Sequence, residues 1–255
     1  MKKVVLLGLV TVAMTQVCFA GAQTTETVEV SGKDFHYNYD ESIGDSEKGW
    51  IQGVHVSYKV QNNQHKNYWK LSYDHSKGDT NYDGAITNGI TQTPYKGKTD
   101  NTITEAELTY GTPVDRKGKQ YVYAGIGYHK WTRDLLGEYG YTEDYSWNTF
   151  PVGYRYEYTA SPKLHGAIDA SLQIMFNGKM ETKSSEYSLG NKPGFKIEAP
   201  VTYQMDQHWG IVLTPWYQYS AIGTSDTVYS GHSMSYEPDS TNHQYGINVG
   251  VSYTF

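Results

Sequence analysis

The segment Tyr245-Gly-Ile-Asn-Val-Gly-Val-Ser-Tyr-Thr-Phe255 alternates without a break, with Tyr245, Ile247, Val249, Val251, Tyr253 and Phe255 on one side and small or polar residues on the other. Successive side chains of an extended strand point to opposite faces, so this segment presents an apolar face to one medium and a polar face to another. The same period of two runs through ten segments: 35–39, 50–60, 68–76, 102–112, 121–131, 145–158, 164–177, 195–205, 209–222 and 243–255. Most of them reach the roughly nine to eleven residues that a tilted strand needs to cross a bilayer. The pattern predicts an all-β fold, a transmembrane antiparallel up-and-down β-barrel of about ten strands, with eight or twelve as the alternatives because the first segment is short.

The connections alternate in length. Residues 61–66, 113–119, 160–163 and 206–208 are short and rich in turn formers, whereas 41–49, 77–101, 132–144, 178–194 and 223–242 are longer. Tight turns on one side of the membrane and extended loops on the other are the habit of such barrels, which predicts a single barrel domain over 34–255 with both termini in the periplasm.

Sorting each segment by face sharpens the expectation. The seventh turns Leu164, Ile168, Ala170, Leu172, Ile174 and Phe176 outward. Inward go Lys59, Lys70, Asp74, Glu105, Glu107, Arg155, Glu157, Asp169, Lys196 and Glu198. Charge is nearly absent from the outer face, as it must be where a charge at the midplane costs roughly 2–4 kcal/mol; His75 and Lys130 are exceptions near strand ends. Cations and carboxylates in comparable number inside a narrow barrel are expected to pair and close the lumen, with a charge-lined pore as the alternative. Tyr68, Tyr123, Trp131, Trp147 and Trp216 also point inward, and the inward Gly53, Gly125, Gly127, Gly153, Gly246 and Gly250 make room for rings.

The start of the chain reads differently. Lys2 and Lys3 precede an apolar run from Val4 to Met14, and small residues lead to Ala20 and Ala22, which is the form of a secretory signal peptide over 1–22. A polar leader, 23–33, follows. Cys18 leaves with the signal, so no disulfide or thiol chemistry is expected in the remainder. Losing Lys2 and Lys3 takes the net charge from −6 to −8, which argues against a nucleic-acid partner. The mean hydropathy of −0.64 hides the outer apolar band, because alternating strands average to a polar value. The 25 tyrosines are more telling, since such rings favour the headgroup levels of a membrane.

A terminal strand closing on Val251, Tyr253 and Phe255 resembles the assembly signal of outer-membrane β-barrel proteins of Gram-negative-type bacteria. The resemblance implies a monomer in the outer membrane, with its lipid and lipopolysaccharide as neighbours and the barrel-assembly machinery as a partner. In size and strand number the chain is also similar to the omptins, outer-membrane proteases that activate water between paired aspartates and an Asp-x-His dyad. That motif does not follow: no Asp-x-Asp occurs, Asp206-Gln-His208 falls in a short turn, and 178–194 contains neither histidine nor aspartate.

No other catalytic set is complete. Asp74, Asp79, Asp83, Asp134, Asp144, His232, Asp239 and His243 lie toward the loops, but no spacing joins a base to a nucleophile. Asp79, Asn81, Asp83 and Gly84 resemble the start of a calcium loop, yet the twelfth position is Ile90 instead of glutamate. No enzyme activity, metal or cofactor is expected. The function expected is display of extracellular loops for surface interaction on a barrel with a closed lumen; a narrow channel for small solutes and a rim hydrolase are the alternatives.

Overall fold

The computed structural model describes residues 24–87, 92–230 and 233–255. The signal-peptide reading of 1–22, with Cys18, lies outside them, as do Ile90 and His232. The described chain is built of strands and turns: β1 (Thr24–Glu41), β2 (Ser46–Asn62), β3 (Tyr68–Thr87), β4 (Gln92–Pro113), β5 (Gln120–Leu135), β6 (Thr142–Ser161), β7 (Leu164–Glu181), β8 (Glu186–Ser188), β9 (Gly190–Asn191), β10 (Pro193–Glu198), β11 (Val201–Gln204), β12 (Trp209–Gly223), β13 (Val228–Ser230), β14 (Ser233–Ser235) and β15 (Ser240–Thr254). Every neighbour in the wall is antiparallel, and β1 pairs with β15 from Thr27↔Thr254 to Glu41↔Ser240, which closes the sheet. Ten staves make the barrel, the eighth being a composite of β8 to β11 between β7 and β12.

Three expectations need correction. The polar leader belongs to the wall: β1 begins at Thr24 and pairs with β2 from Thr24↔Asn62 onward, turning Lys33 into the lumen. Residues 24–33 carry too few large apolar side chains to look like a strand, but the ladder is held by backbone groups on both sides. The segment 195–205 is broken at Ala199 and Pro200, because proline has no N–H to give to a neighbour; Pro200 only accepts, from Ala167 N at 2.9 Å. Most of the long loops are also strand. β3 and β4 run 20 and 22 residues and pair from Tyr68↔Gly111 to Thr87↔Gln92, far beyond what a bilayer requires.

The two ends of the barrel therefore differ. At one, the turn end, connections are tight and the two ends of the described wall meet, with Phe255 N donating to Glu26 O at 3.0 Å. At the other, the loop end, strands continue past the apolar band. β4 rises highest: its pairing with β5 stops at Thr99↔Leu135, so 92–97 form a free edge on that side.

The outer wall shows why the chain spans a membrane. Trp69, Tyr110, Tyr156, Tyr203 and Trp209 are exposed near the turn end, and Trp50, Tyr128 and Tyr245 nearer the loop end. Between them lie Val54, Leu71, Leu108, Ile126, Leu172, Leu213 and Val249, also exposed. An apolar belt bounded by two aromatic rows is the outer surface of a lipid-embedded barrel. Above the belt the outward positions become ion pairs, Lys48–Asp40 at 3.8 Å, Lys77–Asp100 at 2.9 Å and Lys130–Asp144 at 3.8 Å, which marks where lipid ends.

Inside, rings need neighbours without side chains. A Cβ on Gly153 would lie 2.2 Å from the Tyr123 ring, and one on Gly246 2.4 Å from Phe35 Cβ, so only glycine fits beside these two. Leu172, 58% exposed and midway between the aromatic rows, offers a test of the lipid-facing assignment. Leu172→Arg is expected to lower barrel stability by about 2–4 kcal/mol in urea unfolding from lipid.

Candidate functional site

The lumen is filled in successive layers, and these constitute the candidate site. Nearest the turn end, β2, β6 and β7 bring four of the inward charges together: Lys59–Glu157 at 3.4 Å, Arg155–Glu157 at 2.9 Å and Arg155–Asp169 at 3.4 Å. Tyr123 donates its hydroxyl to Asp169, and Tyr68 lies 4.7 Å below the Lys59 ammonium in a cation–π contact. Two cations face two carboxylates, and rings cover them.

The second layer centres on a residue that the leader reading had set aside. Lys33 Nζ lies 3.0 Å from Asp74 Oδ1 and 3.7 Å from Glu105 Oε2, and sits 4.5 Å over the Trp216 ring. His55 Nδ1 meets Asp74 at 3.2 Å, and His129 Nδ1 meets Glu105 at 3.0 Å while stacking on Trp147 at 3.9 Å. Two histidine–carboxylate pairs thus flank one lysine. Lys196 pairs with Glu198 at 2.9 Å, and Gln173 donates to Glu107 at 3.5 Å. Among the described residues Lys70 and Glu107 have no ion-pair partner within 4.0 Å, so the ten inward charges form separate groups instead of one network. A cavity of about 70 Å³, bordered by Asp74, Glu105, Glu107, His129, Lys196 and Gln218, has room for a small cluster of waters.

Above this comes an aromatic core. Phe35, Tyr37, Tyr39, Ile51, Ile103, Trp131, Tyr145, Trp147, Met175, Met180, Tyr187, Leu189, Trp216 and Ile222 are packed together and buried inside the wall. Trp131 stacks on Tyr145 at 4.5 Å and donates its indole N–H to Asn101 Oδ1 at 2.7 Å.

A charged knot crowns that core beyond the level of lipid. Arg133, with a side chain 2% exposed, donates from Nε to Glu47 at 2.6 Å and from Nη1 to Glu143 at 2.7 Å, and its Nη1 is 3.3 Å from Glu41. Thr80 and Thr99 also donate to Glu47, at 3.0 and 2.9 Å. The Tyr145 hydroxyl lies 3.0 Å from Glu143 Oε2 and 2.6 Å from Glu237 Oε1. Three buried carboxyl groups thus share one guanidinium, with Glu237 joined to them through Tyr145. Burial, added to the neighbouring carboxylates, pushes Glu41 up to about 7 and Glu237 up to about 8, against the pull of Arg133.

The sequence reasoning missed this knot because its members lay in predicted loops. The signal was present in the phase: continuing the inward positions His129 and Trp131 by two gives Arg133, and continuing Tyr37 and Tyr39 gives Glu41.

The remaining candidates disperse. Asp83 pairs with Lys96 at 2.7 Å, Asp144 accepts from Thr132 at 2.6 Å, and Asp134 accepts from Thr142 at 2.8 Å, all on the outer wall. Asp79, Asn81 and Asp83 alternate along β3 instead of wrapping a loop. Asp239 pairs with Lys192 at 2.6 Å. His243 faces outward with Tyr217 at 2.7 Å, and His75 with Thr104 at 3.0 Å. Asp206 accepts two turn amides at 2.8 Å, beside His208, at the turn end. Asp34-Phe35-His36 also has the Asp-x-His spacing; both polar side chains project from the outer face of β1, with His36 stacked on Tyr245 at 5.1 Å. Val251, Tyr253 and Phe255 share the outward face of β15 and its end.

No family model matches the sequence, and no curated protein matches it. Solved structures do. The outer membrane protease OmpT from Escherichia coli superposes with a TM-score of 0.56 at 9% identity, over 94% of this chain and 99% of that one. The translocator domain of the autotransporter NalP from Neisseria meningitidis does so with 0.51 at 12% identity, over 98% and 95%. The fold is that of bacterial outer-membrane β-barrels.

Truncating the knot's single cation gives a direct measure of it. Arg133→Ala is expected to cost about 3–5 kcal/mol in urea unfolding at neutral pH, since three carboxylates lose their partner. The loss should shrink in acid, where those groups take up protons.

Proposed function

We propose that this chain is a monomeric, non-enzymatic barrel of the bacterial outer membrane that displays its loop end for interactions at the cell surface and does not conduct. The turn end and both termini then face the periplasm, the outer belt meets lipid and lipopolysaccharide, and Val251, Tyr253 and Phe255 are read by the barrel-assembly machinery. The observation that carries the reading is the filled lumen: two ion-pair layers, an aromatic core and the Arg133 knot lie one above another across the same channel. Support for display comes from the loop end, where Tyr229, Met234 and Tyr139 are 74%, 63% and 51% exposed beyond the lipid level. Exposed tyrosine rings make contact area at small entropic cost.

A channel for small solutes is the second reading, favoured by the polar cavity beside Glu107 and Lys196. Planar-bilayer recording decides between them. Protein shown to be folded by its heat-modifiable migration is expected to give no current steps at neutral pH; stable ohmic steps would assign it to the channels and put Glu107 and Lys196 in contact with water.

A further inference from the structure

The described parts of the last long connection, 224–230 and 233–239, reach inward over the aromatic core as a strap. These two arms are joined by the β13–β14 pairing, and Val228 packs on the aromatic core. Polar contacts tie it down on one side: Ser188 N donates to Asp226 at 2.8 Å, Tyr187 and Ser235 share a hydrogen bond of 2.9 Å, and Lys192 holds Asp239 at 2.6 Å. Two staves further round, at β6, the tie is the contact between Glu237, 5% exposed, and Tyr145.

That tie has an unusual proton count. Tyr145 has one hydroxyl proton and two carboxyl neighbours within 3.0 Å, Glu143 and Glu237. Both contacts are hydrogen bonds only when one carboxyl supplies a proton of its own. Glu143 also accepts from Arg133, whereas the Oε1 of Glu237 meets only Tyr145, so the proton belongs on Glu237. The groups facing it are Tyr39 and Glu41 from β1, Arg133 from β5, and Glu143 and Tyr145 from β6, while Asp45 from the β1–β2 turn, Glu47 from β2, Tyr82 from β3 and Tyr141 from the β5–β6 connection lie around Glu41 and Arg133. One cation stands among them.

We propose that the strap is a proton-held lid: protonated Glu237 closes it onto Tyr145, and loss of protons from Glu237 and Glu41 repels it from Glu143 and Glu41 and uncovers the aromatic core. The sign follows from linkage. Glu237 keeps its proton up to about pH 8 when the lid is closed, and releases it at the ordinary carboxylate value once the lid opens into water. Closure is therefore complete in acid, weakens by about tenfold per pH unit through the window between those two values, and levels off above about pH 8. Glu41, raised to about 7, adds to the same slope.

Hydrogen exchange of the folded barrel in lipid tests this, with rates scaled for their intrinsic pH dependence. Strap protection is expected to fall steeply from about pH 5 to about pH 8 while that of β4 stays constant. Glu237→Gln, which cannot ionise, should stay protected throughout, and Tyr145→Phe should lose protection already in acid. Equal strap protection across that range in the wild-type chain overturns the proposal. So does a Glu237→Gln variant that follows the wild type; should that variant not fold, a Tyr145→Phe strap as protected in acid as the wild type does the same.

Discussion

A wall immersed in lipid must satisfy its own backbone. No water is present to take an unpaired N–H or C=O, and each one left over costs several kcal/mol, so the sheet has to close on itself. The β1–β15 pairing is the seam that removes the last edge within the membrane. Much else is a consequence of that closure. Ten strands curled into a ring leave an interior a few side chains wide, and the period of two forces every second residue into it. The protein has to spend half of each strand on filling a narrow tube.

It fills the tube by matching charge to depth. In the two layers within the lipid span, cations and carboxylates come in near balance: Lys59 and Arg155 with Glu157 and Asp169, then Lys33, Lys70 and Lys196 with Asp74, Glu105, Glu107 and Glu198. Balance is required there, because an uncompensated charge far from water is costly. Beyond the lipid the balance is abandoned. Arg133 alone serves Glu41, Glu47 and Glu143, with Glu237 close by, and the surplus is held by protons. The structure thus tolerates a proton-dependent cluster only at the level where the strap can meet solvent.

The sequence made the barrel legible because membrane strands are written in alternation, and Leu164 to Phe176 or Tyr245 to Phe255 need no partner to be recognised. Its interior was legible as a set of inward charges but not as pairs, since pairing depends on registers between strands far apart in the chain. Arg155 with Asp169 joins neighbouring strands; Lys59 with Glu157 spans 98 residues. Most of what escaped reading has a common cause. Where strands leave lipid, as at Asp79, Asn81 and Asp100, the outward side no longer has to be apolar, so the alternation fades although the ladder continues. Arg133 was lost at that margin, whereas Lys33 was lost within the lipid span, where its outward neighbours Gly32 and Asp34 interrupt the apolar alternation.

The tall β3–β4 hairpin carries the same logic out of the membrane. Residues 92–97 expose strand edge on the β5 side, and an exposed edge is a template on which a second polypeptide can crystallise its own backbone. Pro94 withholds an N–H from that edge, and Lys96 and Lys98 set charge along it. This spares the hairpin from being zipped to a second strand, and it leaves contact at the loop end to side chains instead of to the indiscriminate stickiness of bare backbone.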